Sequence, residues 1–559
     1  MSSPAVLCTH FDTPEGRWAL VSEFTSEDAV NQFVPHISAQ LGGDDLSMGA
    51  SGADTSPVVP TPPVPSSSSS APKFGASSTI MASAGIMFGG SDNSNSTGTP
   101  ASAGTASKPN THVLANRPTR VAILRSPVAA NAVGERAGDE RAGRSAAHGR
   151  GLVTKSTSSF VSRIITNENL ARWIVDAQTV YVLFNAPKSL GVVGVQADNF
   201  GETLARLDLA ASTPVCFDAN RATRSGSRLD VVLGFVQGNI VWYDAISGKY
   251  ARLNKNSGYK AAIVCIRWLP GSDSLFMVGM ADGAVMVMDR TKEDFSVPSI
   301  AARAVTALDT FETAAPLKPK SNPVSYWKVG ARAITSIEFS PDAQRVAVTS
   351  EDGALRVIDY LNEELEDVYL SYFGALTCCA WSNDGKYVVA GGKDDLITVW
   401  SYDEQTVVAR CQGHASWVRG IVFDPGHESE HTHRFFSVGD DARLLVWDLS
   451  LAALHRPRAL AHRTATGASS AGPAAPSRSF AEPPHKPAVG YEGHAGIVHA
   501  RMPKGSVAVL QPLMAETIHE APICSLELSQ DLLVTACRRG VIKMWKRPRT
   551  ADLSAYLPG

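Results

Sequence analysis

Two sets of residues in this 559-residue chain have the types and spacing of catalytic groups. His414, Ser437 and Asp441 offer an imidazole base, a hydroxyl and a carboxylate, the set that activates a serine for acyl transfer. His427-Glu428-Ser429-Glu430-His431 matches H-E-x-x-H, in which two imidazoles one helical turn apart hold zinc and the glutamate acts as base. The surroundings support neither chemistry. No G-x-S-x-G elbow or oxyanion loop accompanies Ser437. The pentapeptide follows Asp424-Pro425-Gly426, sits between two strand-like runs and lacks an apolar helical flank, so it reads as a polar hairpin loop. Paired carboxylates and phosphate-cradling glycine loops do not stand out either. The expectation is a protein without catalytic residues, metal or cofactor.

What positions His414, Ser437 and Asp441 is a repeat spanning 376–449. LTCCAWSNDGKYVVAGGKDDLITVW ends at Trp400, and VRGIVFDP…RFFSVGDDARLLVW ends at Trp447. Each copy has an alternating strand, a polar turn, a second strand ending in small residues, an acidic hairpin and a third strand closing on Trp. Trp381 and Phe423 are 42 residues apart and Trp400 and Trp447 are 47, the longer spacing holding an inserted loop. A period of about 40–45 with a terminal Trp-Asp is the mark of a β-propeller blade. In such a blade His414, Ser437, Asp441 and Trp447 form a structural quartet, hydrogen-bonded from hairpin to loop because buried polar groups must be paired. Other blades depart from it: Ala390 stands at the Ser437 position and Arg539 at that of Asp441.

Further blades run from 214 to 253 (around DVVLGFVQGNIVWYD), from Ile263 (AIVCIRWLPGSDSLFMVGMADGAVMVMD), through AITSIEFSPDAQRVAVTSEDGALRVID, and at the end through APICSLELSQDLLVTACRRGVIKMW. With a weaker unit before Ser212, seven is the expected count, with six or eight as the alternatives, in an all-β WD-repeat propeller over 152–549. Polar and low-complexity inserts occupy 291–322 and 455–492. Residues 1–41 form a short N-terminal segment in which 11–24 could be ordered, and 550–559 form a tail. Residues 42–151 are Ser, Ala, Gly, Pro and Thr, too poor in large apolar groups to offset their ordering entropy, and read as a disordered linker. Order is expected to begin near Lys155, with 180–184 as the strand that closes the ring.

Lys plus Arg number 51 against 54 Asp plus Glu, a balance that favours neither nucleic acid nor an acidic membrane. The eight cysteines show no CxxC spacing and several sit in apolar strands, which points to free thiols in a reducing compartment, cytoplasm or nucleus. The start lacks a secretory leader, and no apolar run approaches the ~20 residues of a membrane helix.

For binding, Phe373 and Trp417 stand out. Both lie in loops entering the innermost strands of neighbouring blades, on the rim where propellers hold ligands, and aromatics are common binding anchors. The alternative is that each ring packs between blades. Tyr372, Trp327 and Arg539 are further candidates.

The runs LGFVQGNIVWYD…KYARLNKN, SYFGALTCCAWSNDGKYVVAGGKDDLITVWS, VVARCQGHASWVRGIVFDP and SVGDDARLLVWDLS…LHRPRAL resemble the fungal catabolite-repression CreC family and its animal relatives, the dystrophia myotonica WD-repeat proteins. The resemblance covers most of 152–290 and 321–460, plus 501–547, and FDTPEGRW looks like the family's opening. KYARLNKN and ARCQGHASWV lie outside any repeat consensus, which makes it specific. It implies a non-catalytic subunit that binds, stabilises and activates a ubiquitin-specific protease, a CreB-like deubiquitinase, in carbon catabolite repression, with room for further subunits. The rival readings are a substrate-adaptor propeller for a ubiquitin ligase or another multiprotein assembly and, as an enzyme, a metal hydrolase using the His427–His431 loop.

Overall fold

Period-two alternation along short strands, punctuated by tight polar turns, builds seven sheets, antiparallel except for one added outer strand in each of two blades. The computed structural model describes residues 8–27, 119–125, 151–155, 158–167, 170–175, 180–195, 203–210, 212–254, 261–292, 307–315, 320–429, 432–450, 452, 454 and 496–548. These belong to one unit formed by 1–40 and 112–559. The innermost strands, blade 1 to blade 7, are Val121–Arg125, Pro214–Ala219, Ile263–Trp268, Ile334–Phe339, Leu376–Trp381, Val418–Ser429 and Ile523–Leu528. The middle strands, such as Tyr387–Gly392 and Leu396–Ser401, are buried on both faces because each sheet is covered by two neighbours. Seven apolar clusters result among the described residues, one in each gap between adjacent blades. The expected seven-bladed all-β propeller is the observed architecture.

Close packing dictates residue choice in these gaps. In blades 2, 3 and 5 an inner-strand cysteine faces a glycine on the second strand: Cys216 opposite Gly234, Cys265 opposite Gly279 and Cys378 opposite Gly391. A β-branched residue of the next blade (Ile263, Ile334 or Val418) fills the space a Cβ would need, at 2.5 to 2.8 Å from it. All eight cysteines are free thiols. The turns between second and third strands repeat one left-handed position, taken by Gly238, Gly283, Gly353 and Gly540 and, in blades 5 and 6, by Asp395 and Ala442.

Ring closure differs from expectation. Val180–Ala186 is the second strand of blade 1, buried almost throughout, and requires partners on both edges and both faces. The closing strand is Gly16–Thr25, which pairs antiparallel with Val541–Lys546 and carries His10–Thr13 outside it. Order therefore begins well before Lys155. Segment 1–41 contributes the outer strands of blade 7, and the stretch read as linker contains the inner strand of blade 1, whose Val121 N–H donates to Ser525 Oγ of blade 7. The rest of 28–118 and the insert 455–492 lie outside the described residues.

After blade 6's third strand the chain re-enters at 496 and lies along three blades in turn. Ile497–His499 runs parallel to Glu364–Leu370 of blade 4, Ala508–Leu510 runs parallel to Thr406–Gln412 of blade 5, and Met514–Thr517 is the fourth strand of blade 6. Similarly, blade 3 takes its fourth strand, Ser325–Lys328, from beyond the 291–322 insert.

Candidate partner-binding rim

The quartet forms as a lock. His414 Nδ1–H donates to Asp441 Oδ2 at 2.9 Å, Ser437 Oγ–H donates to His414 Nε2 at 2.7 Å, and Trp447 Nε1–H donates to Ser437 Oγ at 2.8 Å. Burial pushes the Asp441 carboxyl up, but the His414 contact and the N–H groups of Ala415 and Arg443 more than offset it and leave the group below its ordinary value. Although the connectivity is that of a serine relay, Ser437 is fully buried and its oxygen already accepts from the Trp447 indole. Three of the four positions recur in blade 7, a recurrence not read from the sequence: His519 Nε2 and Trp545 Nε1 both bond Thr535 Oγ1, at 2.9 and 3.2 Å.

The first three residues of the H-E-x-x-H segment, His427 to Ser429, are extended: the strand Val418–Ser429 carries them, with Glu428 opposite His433. His427 Nδ1 lies 3.3 Å from Glu15 of the N-terminal hairpin. Glu430 and His431 lie outside the described residues.

In an antiparallel blade, the loops entering the inner strands and the turns between second and third strands emerge at the same end of the ring. On that rim stand Phe373, between blades 4 and 5, and Trp417, between blades 5 and 6. Phe373 is 72% exposed, Trp417 41% and Tyr372 38%. Their loops are fixed. Ser371 Oγ donates to Gly374 O at 2.7 Å, Gly374 is left-handed, and Phe373 N–H donates to Asp394 Oδ2 at 3.2 Å. Trp417 O accepts from Asp440 N–H at 2.8 Å. The Trp417 ring lies within cation–π distance of Lys393 Nζ at 4.9 Å and the Arg419 guanidinium at 5.0 Å. Tyr372 lies against the buried Arg410 guanidinium at 4.5 Å, whose Nη2–H donates to Met502 O at 2.6 Å.

The blade 5 turn 393–395 joins the two aromatic loops, since Lys393 meets Trp417 and Asp394 holds Phe373. Enclosure pushes the Asp394 carboxyl up. From here charged contacts run across four blades: Glu351 to Lys393 at 3.1 Å, Arg419 to Asp440 at 2.6 Å, and Arg538 to Asp440 at 3.1 Å. The sequence reading missed Lys393, Arg419, Asp440 and Arg538. For Lys393, Asp440 and Arg538 the signal was a charged residue at the first turn position in successive repeats; Arg419, in the inner strand of blade 6, carried no such signal.

Arg539 is on the same rim, its side chain 61% exposed and paired with Glu520 at 3.1 Å, away from the aromatic pair. Trp327 does not belong to the rim. It is fully buried in blade 3's fourth strand, donates to Ser325 Oγ at 3.0 Å and packs edge-on against Phe311, because its strand alternation directs it into the gap toward blade 4.

The WD domain, G-beta repeat family matches residues 325–359, 368–401 and 405–448. The UBP9-binding protein bun62 of Schizosaccharomyces pombe is 31% identical over 411 residues, covering 70% of this chain and 76% of that protein. The WD repeat-containing protein 20 homolog of Caenorhabditis elegans is 31% identical over 293 residues, 48% of this chain and 38% of its own length. A chain in a crystal structure of the mitotic checkpoint complex aligns at a TM-score of 0.43 with 14% identity, over 76% of this chain and 100% of that one. With a seven-bladed ring and that extent of similarity, the chain belongs to the WD-repeat family that includes the UBP9-binding protein bun62.

Proposed function

We propose that this protein is a non-catalytic scaffold that binds, stabilises and activates a ubiquitin-specific protease, docking it on the rim that carries Phe373 and Trp417. The observation carrying this is a pair of exposed aromatic rings on adjacent blades, each held by backbone hydrogen bonds and joined by one turn. Large exposed rings on fixed loops lose little entropy on binding, which suits them as anchors. The name of the S. pombe relative, a UBP9-binding protein, supports a protease of this class as the partner. The resemblance to the CreC family extends the reading to a CreB-like deubiquitinase and to carbon catabolite repression, in the cytoplasm or nucleus.

Activation requires no chemistry from the propeller. A ring that binds the protease's active arrangement more tightly than its inactive one shifts the population by that difference. Ten-fold activation corresponds to about 1.4 kcal/mol of differential binding. The test is affinity capture from a fungal lysate followed by ubiquitin-conjugate cleavage by the captured protease with and without this chain. A ubiquitin-specific protease in the capture, more active with the chain than without it, is expected. Capture of a cullin-type ligase instead would favour the adaptor function. Phe373→Ala and Trp417→Ala should each weaken protease binding by more than about 1 kcal/mol while leaving the melting temperature unchanged. Early melting with normal binding by the folded fraction would assign the rings to blade packing.

A further inference from the structure

The opposite end of the central channel opens into a cavity of about 480 Å³, within the size range of small-ligand sites. Trp268, Trp381 and Phe423, at corresponding places in three inner strands, border it, each ring mostly buried in the packing between blades. Both indoles are fixed: Trp268 Nε1–H donates to Asp218 O at 3.1 Å, and Trp381 Nε1–H to Glu338 O at 3.2 Å, each a carbonyl of the preceding blade.

The charges in this wall are unevenly matched. Arg267 is ion-paired with Glu338. Asp218 accepts the N–H groups of Ala219 at 3.0 Å and Trp268 at 2.8 Å, so both its oxygens are engaged. Glu527, on the inner strand of blade 7, makes no side-chain hydrogen bond or ion pair with any described residue. Enclosure pushes its carboxyl up, while the charges of Arg221 and Arg267 oppose that shift from a distance. Arg221 stands exposed at the mouth, likewise without a hydrogen bond among the described residues. A partly enclosed carboxylate without a direct partner suits a flat cation, since a guanidinium pairs with a carboxylate through two parallel N–H groups.

We propose that this cavity binds an arginine side chain presented by a peptide segment of a partner protein, with Glu527 as the acceptor and Arg221 meeting a carbonyl or acidic group of the same segment. The site lies at the far end of the ring from Phe373 and Trp417, so it stands whether or not the rim docks a protease.

The test uses the full chain and saturation-transfer NMR on three blocked tripeptides, Gly-Arg-Gly, Gly-Lys-Gly and Gly-Glu-Gly. Saturable binding of the arginine peptide, at least about tenfold tighter than that of the glutamate peptide, is expected, with lysine between them. Glu527→Gln should weaken arginine-peptide binding by about tenfold or more and leave the melting temperature equal or higher, since it removes an enclosed charge lacking a direct partner. Phe373→Ala should bind the peptide as the parent does. No saturable signal up to about 10 mM would overturn the proposal. So would equal binding of the arginine and glutamate peptides, or undiminished binding by a folded Glu527→Gln variant.

Discussion

Ser437 shows how much can rest on one hydroxyl. It donates to His414 and accepts from Trp447, so Ser437→Ala strands two buried polar groups at once. The expected cost is about 1–3 kcal/mol in denaturant unfolding, with Ser437→Thr milder because the hydroxyl survives, as it does in Thr535 of blade 7. His519 makes a pH-dependent contribution. Burial, with the charge of Lys543, lowers its pKa from the ordinary 6.5 to about 3. Between those values the unfolded chain takes up a proton that the folded chain refuses, so stability falls as pH drops from about 6.5 toward 3, by about 1.4 kcal/mol per pH unit at most. Unfolding curves across that range should show this slope, and His519→Gln should flatten it. The sequence identified the quartet because its four members fall at the strand and loop positions of one repeat. It misplaced Trp327, since an aromatic near a blade's edge reads the same whether alternation turns it out or in.

At the level of elements, the N-terminal hairpin is the part whose removal should matter most. Phe11 and Trp18 are buried against Trp545 and Phe436, and buried Lys543 pairs with Glu23 of the closing strand at 3.2 Å. Arg547 bridges Asp424 of blade 6 and the Trp18 ring, while Arg434 and His427 both contact Glu15. Trp18→Ala should cost about 3–5 kcal/mol. Deleting 1–27 exposes the edge of Val541–Lys546, and the product should aggregate and melt early. Addition of a peptide of residues 8–27 should restore monomer by light scattering, and a truncated chain that stays monomeric with an unchanged melting point would show the hairpin to be dispensable. A packing test lies in blade 5. A Cβ at Gly391 would sit 2.5 Å from Val418 Cγ1, so Gly391→Ala should destabilise by about 1–3 kcal/mol and Val418→Ala should partly relieve it in the double variant. Strand existence was legible from alternation, but strand partnership was not. Nothing local to 16–25 says that its partner lies more than 500 residues away.

At the scale of the ring as a whole, the consequence of closure is two separate ends. Rim substitutions such as Trp417→Ala should leave the channel end unaltered, and Glu527→Gln should leave protease docking unaltered, each checked by the other's binding assay. The repeat period and the turn residues determined by themselves the propeller class and its aromatic rim loops, because hydrophobic periodicity and left-handed turns are local properties. Tertiary structure alone decided which strand closes the ring, that 496–517 lies along three blades, and that Lys393 and Arg419 meet over the Trp417 ring. It also decided that Glu527 faces the channel without a direct partner. Those outcomes depend on contacts between residues distant in sequence, where no spacing rule operates and only close packing of the closed ring selects the partners.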